Sequence, residues 1–261
     1  MIVCFSGTGN TLHVARQLSA LTGLDIVRLE GEALFRPGSV TLHSEENEDV
    51  VWAFPTYSWG IPPVVVDFMK ECGVDDSVGN ARHFMLTTCG DDMAQTDRQW
   101  RRIMTRRGFR PVAAFSVVMP NTYVCMTGFD VDSPETVREK LDASVGRVAA
   151  IAEAIAAGGP DMLHRGSFAW IKSRIIYPWF VRHSMSPKPF HCTDDCVGCG
   201  TCARLCPMEN IIMEKNENGA LAPSWADKCA LCLRCYHACP YHAVAYGRTT
   251  RGKGRQWLGL R

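Results

Sequence analysis

The sequence predicts an α/β protein, with a doubly wound, five-stranded parallel sheet in the first part and a small, cysteine-rich α+β domain behind it. Apolar runs alternate with amphipathic stretches over the first 157 residues, which is typical of a parallel sheet covered on both faces. Nine of the 13 cysteines lie between Cys192 and Cys239. A chain of 261 residues is long for one domain and suits two.

The elements of the first part follow in a regular order. Strands are predicted at residues 2–6, 25–29, 50–54, 82–88 and 112–119, and helices at 12–21, 64–72, 94–107 and 134–157. Gly23 closes the first helix and Gly158 the last. The stretch 31–49 is too short for a full helix, so we expect a reduced layer there. Ligands of such sheets bind beyond the carboxyl ends of the strands.

Charge and hydropathy exclude several functions. The net charge is +1, but residues 1–160 hold 14 basic against 20 acidic side chains, and residues 161–191 hold 5 against 1. Basic residues confined to joining and terminal segments do not fit nucleic-acid binding. No apolar run reaches the ~20 residues of a membrane-spanning helix. No secretory signal is visible at the start, so we expect a cytoplasmic protein.

A Ser/Gly-rich loop follows the first strand, where the chain turns into the first helix. Its glycines let backbone N–H groups converge, the helix N-terminus adds partial positive charge and the hydroxyls add donors, which suits a phosphate dianion. The loop lacks the Lys-Ser/Thr pair of a P-loop and the third glycine of a dinucleotide fingerprint, so neither ATP nor NAD is its natural ligand. An ordinary capped turn is the alternative. The cofactor-binding residues predicted here are Ser6, Gly7, Thr8, Gly9, Asn10 and Thr11.

This loop resembles the phosphate loop of flavodoxins, Ser/Thr-x-Thr-Gly-x-Thr, and the resemblance extends over residues 1–157. It implies a flavodoxin-like fold that binds FMN, with flanking loops after the third and fourth strands and an aromatic candidate, Tyr123, after the fifth. The flanking loops contain Pro55, Thr56, Tyr57, Ser58, Trp59 and Gly60, and Thr88, Cys89, Gly90 and Asp91. Trp59 or Tyr57 is expected to stack on the isoalloxazine, with surface packing as the alternative for Trp59. A carbonyl beside Gly60 is expected to turn toward the reduced ring.

The cysteine-rich part repeats one motif, Cys-x2-Cys-x2-Cys-x3-Cys-Pro, at an offset of 33 residues. In proteins with two iron–sulfur clusters, the first three cysteines of such a run bind one cluster and the fourth binds the other. The expected metal ligands are Cys196, Cys199, Cys202 and Cys239 for one cluster, and Cys229, Cys232, Cys235 and Cys206 for the second. Zinc ribbons use separated pairs rather than a tight triplet, and disulfides do not suit a cytosolic chain. Residues 192–247 therefore resemble a bacterial ferredoxin with two [4Fe–4S] clusters.

The two repeats differ at their spacer residues. Gly198 and Gly200 in the first repeat correspond to Leu231 and Leu233 in the second, which predicts a different loop geometry there. Cys192 has no counterpart and is interpreted as a spare thiol. Both clusters are expected to be buried, because apolar residues surround the motifs: Val197, Leu205, Ile211, Ile212, Leu221 and Val244.

The segment between the two parts is aromatic and basic. Phe168, Trp170 and Trp179 alternate with Lys172, Arg174 and Arg182 within it. We interpret it as a bridge that packs on one or both domains, with peripheral contact to a membrane surface as the alternative. The terminal stretch carries Arg248, Arg251, Lys253, Arg255 and Arg261, and is expected to be solvated, with guidance of an acidic redox partner as the alternative.

These parts give four predicted units: a flavodoxin-like domain (1–158), a linker (159–191), a two-[4Fe–4S] ferredoxin-like domain (192–247) and a basic tail (248–261). Together they resemble the flavodoxin–ferredoxin fusion proteins of anaerobic prokaryotes. The resemblance implies electron transfer between FMN, two [4Fe–4S] clusters and a redox partner protein. The alternatives are an iron–sulfur flavoenzyme that reduces a small substrate at the flavin and a redox-sensing interaction protein. No catalytic residue is assigned, because the sequence shows no triad or carboxylate pair.

Overall fold

The structure, a computed structural model, describes residues 1–46, 48–216 and 219–259. The first part is built on parallel strands: β1 (Ile2–Cys4), β2 (Ile26–Arg28), β3 (Thr41–Leu42), β4 (Val50–Pro55), β5 (Gly73–Val74), β6 (Arg82–Cys89) and β7 (Arg110–Val118). Five of them form one sheet in the order β2-β1-β4-β6-β7, while β3 and β5 pair separately. This is the flavodoxin-like strand order, in which the direction of winding reverses between β1 and β4. Sheets of this kind bind ligands at that reversal, the topological switch point. The predicted fold of this part is therefore confirmed.

Helices cover both faces of this sheet. They are α1 (Asn10–Thr22), α2 (Glu32–Phe35), α3 (Pro63–Glu71), α4 (Asp76–Asn80), α5 (Thr96–Arg106) and α6 (Pro134–Ala157). Leu18 of α1 and Ile151 of α6 pack with Ile2 on one face. Phe68 of α3 and Trp100 of α5 pack with alternate strand residues on the other. The stretch 31–49 holds only α2, one 3-10 turn and β3 among its described residues, so that layer is reduced.

Helix α6 has the bounds that the sequence predicts because both ends carry strong signals. The Ser133 hydroxyl accepts a hydrogen bond from the Thr136 N–H at the N-terminus, and Pro134 occupies the first helical position. Gly158 ends the helix in the left-handed region at φ 60°.

A buried histidine links the β4 and β6 strands. The Trp52 indole N–H donates to Nδ1 of His83 over 3.0 Å, so Nε2 carries the proton and donates to the Val78 carbonyl. Burial lowers the pKa of His83 to about 4. The folded chain therefore holds this ring neutral at pH values where the unfolded chain protonates it.

Acidification is expected to destabilise the fold through His83. Between pH 6.5 and 4 the unfolded state binds a proton that the folded state does not, so stability present above pH 6.5 is lost as the pH falls. From pH 7.5 to 5.5 the loss amounts to about 1.3 kcal/mol. Anaerobic urea unfolding of the wild type and of His83→Gln at both pH values measures it, because the variant lacks this loss. An equal pH dependence in the two proteins contradicts the assignment.

A helical segment joins the two parts. It consists of α7 (Ala169–Ile171), a π-helical turn (Lys172–Ile176) and α8 (Tyr177–His183), which follow one another without a break. Hydrogen bonds fix it to the first part, since the Tyr177 hydroxyl donates to the Ile61 carbonyl over 2.6 Å. Within the described ranges, no helix is both long enough and apolar enough to cross a bilayer.

The cysteine-rich part is an interlocked pair of repeats. Its elements are β8 (Phe190–Cys192), α9 (Thr201–Arg204), β9 (Ile211–Lys215), β10 (Leu221–Trp225), α10 (Arg234–His237) and β11 (Val244–Tyr246). The strand that precedes each cysteine run pairs with the strand that follows the other run, giving the antiparallel pairs β8–β11 and β10–β9. Each repeat therefore completes the other's hairpin.

Residues 253–259 of the C-terminal stretch pack against both parts, so the prediction of a solvated tail is wrong there, whereas Arg248 and Arg251 are exposed as predicted. Lys253 donates to the carbonyls of Val124 and Met126, and the Arg255 guanidinium lies over the Tyr236 ring at 3.9 Å from its centroid. The Leu258 N–H donates to the Thr8 carbonyl. In these contacts the cations of Lys253 and Arg255 interact with protein groups, whereas in a solvated tail they would interact with water. Arg261, which belongs to the same prediction, lies outside the described residues.

Candidate functional site

Two cavities in the C-terminal part are lined by the two predicted groups of four thiols. The outer cavity contains Cys196, Cys199, Cys202 and Cys239, and the inner cavity contains Cys206, Cys229, Cys232 and Cys235. In each cavity the fourth cysteine comes from the other repeat. No group of three or more His, Cys, Asp or Glu side chains within the described ranges is arranged to hold a single metal ion. Four soft thiol ligands around one cavity suit an iron–sulfur cluster.

Backbone amides point at the sulfur atoms in both repeats. The Asn210 N–H donates to Cys206 Sγ, and the Ala243 N–H donates to Cys239 Sγ, each over 3.3 Å. The two hydrogen bonds are equivalent, because their donors are separated by the 33-residue offset of the repeat. The Leu231 N–H donates to Cys229 Sγ over the same distance. Such bonds favour the charged thiolate and influence the potential of a bound cluster.

The two cavities differ in exposure. Cys199 is exposed, and Val197 beside it is 59% exposed, whereas Cys235 of the inner cavity is buried. Ile212 and Leu221 are also exposed, so the prediction that both clusters are buried is wrong for the outer one. The inner cavity is buried because the sheet domain covers it.

Burial sets the thiol chemistry of the inner cavity. It raises the pKa of Cys232 to about 11 and that of Cys229 to about 12. Thiolates in such a site need a compensating positive charge, which a metal ligated by them supplies. At the outer cavity the hydrogen bond with Thr201 lowers the pKa of Cys199.

The Ser/Gly-rich loop forms one end of a cleft at the carboxyl edge of the sheet. The backbone of its first residues lines the cleft, and the Ser6 hydroxyl is buried with no protein partner among the described residues. Asn10 donates its side-chain amide to the Pro120 carbonyl, and Thr11 bonds to Thr88 over 2.8 Å. Asn10 and Thr11 therefore fix the loop, and Ser6, which lines the cleft, keeps a hydroxyl without a protein partner, which fits a phosphate group.

The cleft continues into a larger cavity of about 350 Å³. All the predicted flavin-binding residues except Gly9 and Gly60 line one or both spaces: Ser6, Gly7, Thr8, Asn10, Thr11, Pro55, Thr56, Tyr57, Ser58, Trp59, Thr88, Cys89, Gly90, Asp91 and Tyr123. Gly9 faces Gly259 of the tail instead, and Gly60 packs against the Tyr177 ring. The carbonyl beside Gly60, that of Trp59, accepts a hydrogen bond from the Ser173 hydroxyl over 2.9 Å. Gly9 and Gly60 therefore do not line the two spaces, and their part in flavin binding stays a prediction.

The aromatic loop after β4 is a strained two-residue turn. Ser58 and Trp59 both have positive φ, at 43° and 67°, and Tyr57 and Gly60 exchange two backbone hydrogen bonds around them. Non-glycine residues held in this region are concentrated at ligand-binding sites. Lys172 lies over the Trp59 ring at 5.0 Å from its centroid, so one face of this ring is covered by the helical linker.

A charged network supports the loop after β6. Lys140 of α6 donates to the Gly90 carbonyl over 2.9 Å and pairs with Asp132 over 2.7 Å. Asp132 in turn accepts two hydrogen bonds from Asn121. Gly90 has no space for a side chain, because a Cβ there would meet the Asn121 amide. These contacts hold the loops after β6 and β7 in fixed positions relative to each other.

Sequence reasoning missed two groups of cavity residues. Asn121 and Thr122 follow β7, and their position after a parallel strand is a signal that could have found them. The second group is the segment 231–233 of the cysteine-rich part, together with Trp179 of the linker. Only the tertiary fold brings these residues to the cleft.

The segment 231–233 is the wall between the cleft and the inner cavity. Cys232 lines both spaces, and the side chains of Leu231 and Leu233 line the larger cavity. Both leucines adopt positive φ, 48° and 60°, as their glycine counterparts do, so the predicted difference in loop geometry is wrong. Leucine is strained there by roughly 1–2 kcal/mol per residue. The leucine side chains compensate by closing the wall with buried apolar surface.

The phosphate-type loop sits directly on this wall. A Cβ on Gly7 would lie 2.6 Å from the Cys232 carbonyl oxygen, so only glycine permits the contact. Arg234, 3% exposed, donates to the carbonyls of Ser6 and Gly7 over 2.6 and 3.0 Å, and to Glu30 over 2.8 Å. Carbonyls held from behind leave the loop's N–H groups free to face the cleft.

Gly7→Ala is expected to separate the loop from the wall. The clash with a backbone oxygen is expected to lower stability by about 1–3 kcal/mol and to weaken FMN binding at least tenfold. Gly146→Ala is the control, because this helical glycine of α6 has open space around it and alanine favours the helix by about 1 kcal/mol. Flavin fluorescence titration measures the FMN affinity, and urea unfolding measures the stability, of both variants. Equal FMN affinity in Gly7→Ala and the wild type contradicts the contact.

Comparison with known proteins identifies the C-terminal part. Residues 195–244 match the family described as 4Fe-4S dicluster domain. This part is a ferredoxin-like domain. The chain therefore joins a flavodoxin-like fold to a ferredoxin-like domain that is similar to the dicluster family.

Individual relatives cover the two parts separately. An uncharacterized ferredoxin of Methanocaldococcus jannaschii is 35% identical over 51 residues, which are 20% of this chain and 66% of that protein. The chain thus spans just under two thirds of this relative's length. Solved structures similar to the first part include the Trp repressor binding protein from Bacillus subtilis (12% identity, 56% of this chain and 97% of that one, TM-score 0.34) and a flavodoxin from Streptococcus pneumonia TIGR4 (16%, 57% and 97%, 0.32). At such TM-scores the strand order, and not these likenesses, carries the fold assignment.

Proposed function

We propose that this protein is an electron-transfer flavo-iron–sulfur protein that couples FMN to two [4Fe–4S] clusters and to a redox partner. FMN exchanges one or two electrons and each cluster one, so the combination links two-electron to one-electron carriers. The cleft residues would hold the FMN, and the two groups of four cysteines would hold the clusters.

The observation that carries this proposal is the shared wall. Cys232 borders the cleft on one side and belongs to the inner group of thiols on the other. The segment 231–233 thus separates the two spaces at Cys232. This supports exchange within one chain.

The difference in exposure between the two thiol groups supports a direction of electron transfer. The inner group is enclosed between the domains, while the outer group lies at the surface beside exposed Val197 and Tyr241. A partner protein would therefore exchange electrons at the outer group. The rim around Cys199 is the contact surface that this proposal assigns to it.

Anaerobic purification followed by flavin, iron and sulfide analysis tests the composition. The proposal expects one FMN, eight irons and eight sulfides per chain. Stepwise reductive titration followed by absorbance and electron paramagnetic resonance then tests the coupling, and photoreduction of the flavin should reduce a cluster at a rate independent of protein concentration. A rate proportional to concentration contradicts exchange within the chain.

The size and lining of the larger cavity favour a second candidate function, reduction of a small substrate at the flavin. Aromatic side chains of Tyr123, Phe129, Trp179 and Phe180 line it beyond the predicted flavin loops. This enzyme hypothesis predicts steady-state oxidation of the reduced protein by a small acceptor without any partner. A reduced flavin that only a partner protein can reoxidise contradicts it.

A further inference from the structure

The helical linker turns five of its large apolar side chains outward. Phe168 is 77% exposed and the other large apolar residues of this outer face are also exposed: Trp170 (57%), Ile171 (43%), Ile175 (55%) and Trp179 (54%). Helices of soluble proteins normally turn their apolar stripe toward the core. A contiguous exposed patch of this kind marks an interaction surface.

The orientation of the helix is fixed by polar contacts on its inner face. The Ser173 hydroxyl donates to the Trp59 carbonyl over 2.9 Å and accepts the Gln95 N–H over the same distance. Lys172 pairs with Asp92 over 2.6 Å. These contacts, together with the buried Phe180 ring, fix the helix so that the five apolar side chains of the outer face stay exposed.

The charges on the outer face have one sign. Arg174 and Arg182 are exposed among the apolar side chains, and no acidic residue occurs from 162 to 193. Tryptophan and aliphatic residues flanked by arginine are the composition of helices that lie in a membrane interface. Association of two copies through this face would bring like charges together, which is unfavourable.

We propose that the outer face of residues 168–182 docks this protein on an anionic lipid bilayer, with the helix lying in the plane of the interface. The apolar side chains enter the headgroup boundary and the two arginines contact anionic headgroups. Trp179 also lines the larger cavity, so docking places the mouth of the cavity beside the lipid surface.

Vesicle flotation with the full-length protein tests this proposal. We expect binding to vesicles of phosphatidylcholine with 30% phosphatidylglycerol and at least tenfold weaker binding to phosphatidylcholine alone. Trp170→Ser/Trp179→Ser and Arg174→Gln/Arg182→Gln should each reduce binding to the anionic vesicles at least tenfold. Leu21→Ser/Val145→Ser is the control, because these residues are 58% and 59% exposed outside the linker, on α1 and α6.

Unchanged absorbance of the bound clusters shows that a variant is folded. The proposal is overturned if the wild type does not float with anionic vesicles, or if the tryptophan variant floats as the wild type does. It is also overturned if light scattering shows a dimer in solution that the same tryptophan substitutions dissociate. None of these readouts depends on electron transfer, so failure here leaves the proposed function standing.

Discussion

Replacing Cys232 by Ala is expected to remove the inner cluster and to end electron exchange between the flavin and the rest of the chain. Cys232 is one of four thiols of the inner cavity and also borders the cleft. Loss of a ligand removes binding energy that contributes to folding, so we also expect the C-terminal part to lose stability. Iron analysis and the rate of cluster reduction after flavin photoreduction measure both effects.

The matched control for this experiment is Cys199→Ala. Cys199 belongs to the outer group, is exposed, and does not border the cleft. This variant should also lose one cluster, yet keep rapid reduction of the inner one. The two variants thus differ only in which group is disrupted. Unchanged iron content in both would refute the ligand assignment, and equal reduction rates would refute the order of the two groups.

Replacing Arg234 by Met is expected to have the second large effect. The change leaves three backbone carbonyls without their donor, while Glu30 keeps its ion pair with Arg28. Each buried acceptor that is left unsatisfied costs about 1–3 kcal/mol. The phosphate-type loop also loses its support, so FMN affinity is expected to fall at least tenfold.

Urea unfolding and flavin titration measure the effect of Arg234→Met, and Arg106→Met is its control because Arg106 is exposed on α5. Arg234→Lys separates charge from geometry. Lysine retains the positive charge but cannot reach several carbonyls as a planar guanidinium does, so we expect only partial recovery of FMN affinity. An FMN affinity in Arg234→Met equal to that of the wild type would show that the guanidinium does not support the loop.

Local signals in the sequence predicted the sheet and the helices well. The apolar runs of β4 and β6 and the capped ends of α6 depend on neighbours within a few residues, which is why periodicity and capping rules locate them. The cysteine spacing likewise predicted two groups of four, and the structure places those groups around two cavities.

The junction between the parts could not be predicted, because it depends on residues far apart in the chain. Arg234 bonds to carbonyls 227 and 228 residues away, and a single arginine between two cysteines carries no local sign of such a partner. The conformation of the two leucines of the wall could not be predicted for the same reason. Leucine in place of glycine in the second repeat suggested an altered loop, whereas burial against the cleft maintains leucine in a glycine conformation.

The attachment of Leu258 and Gly259 to the loop at Thr8 and Gly9 has a consequence for biosynthesis. Leu258 is made 250 residues after Thr8, whose carbonyl it contacts. A nascent chain that has emerged only as far as α6 lacks both this contact and the segment that carries Arg234. Flavin loading should therefore follow synthesis of residues 234–259.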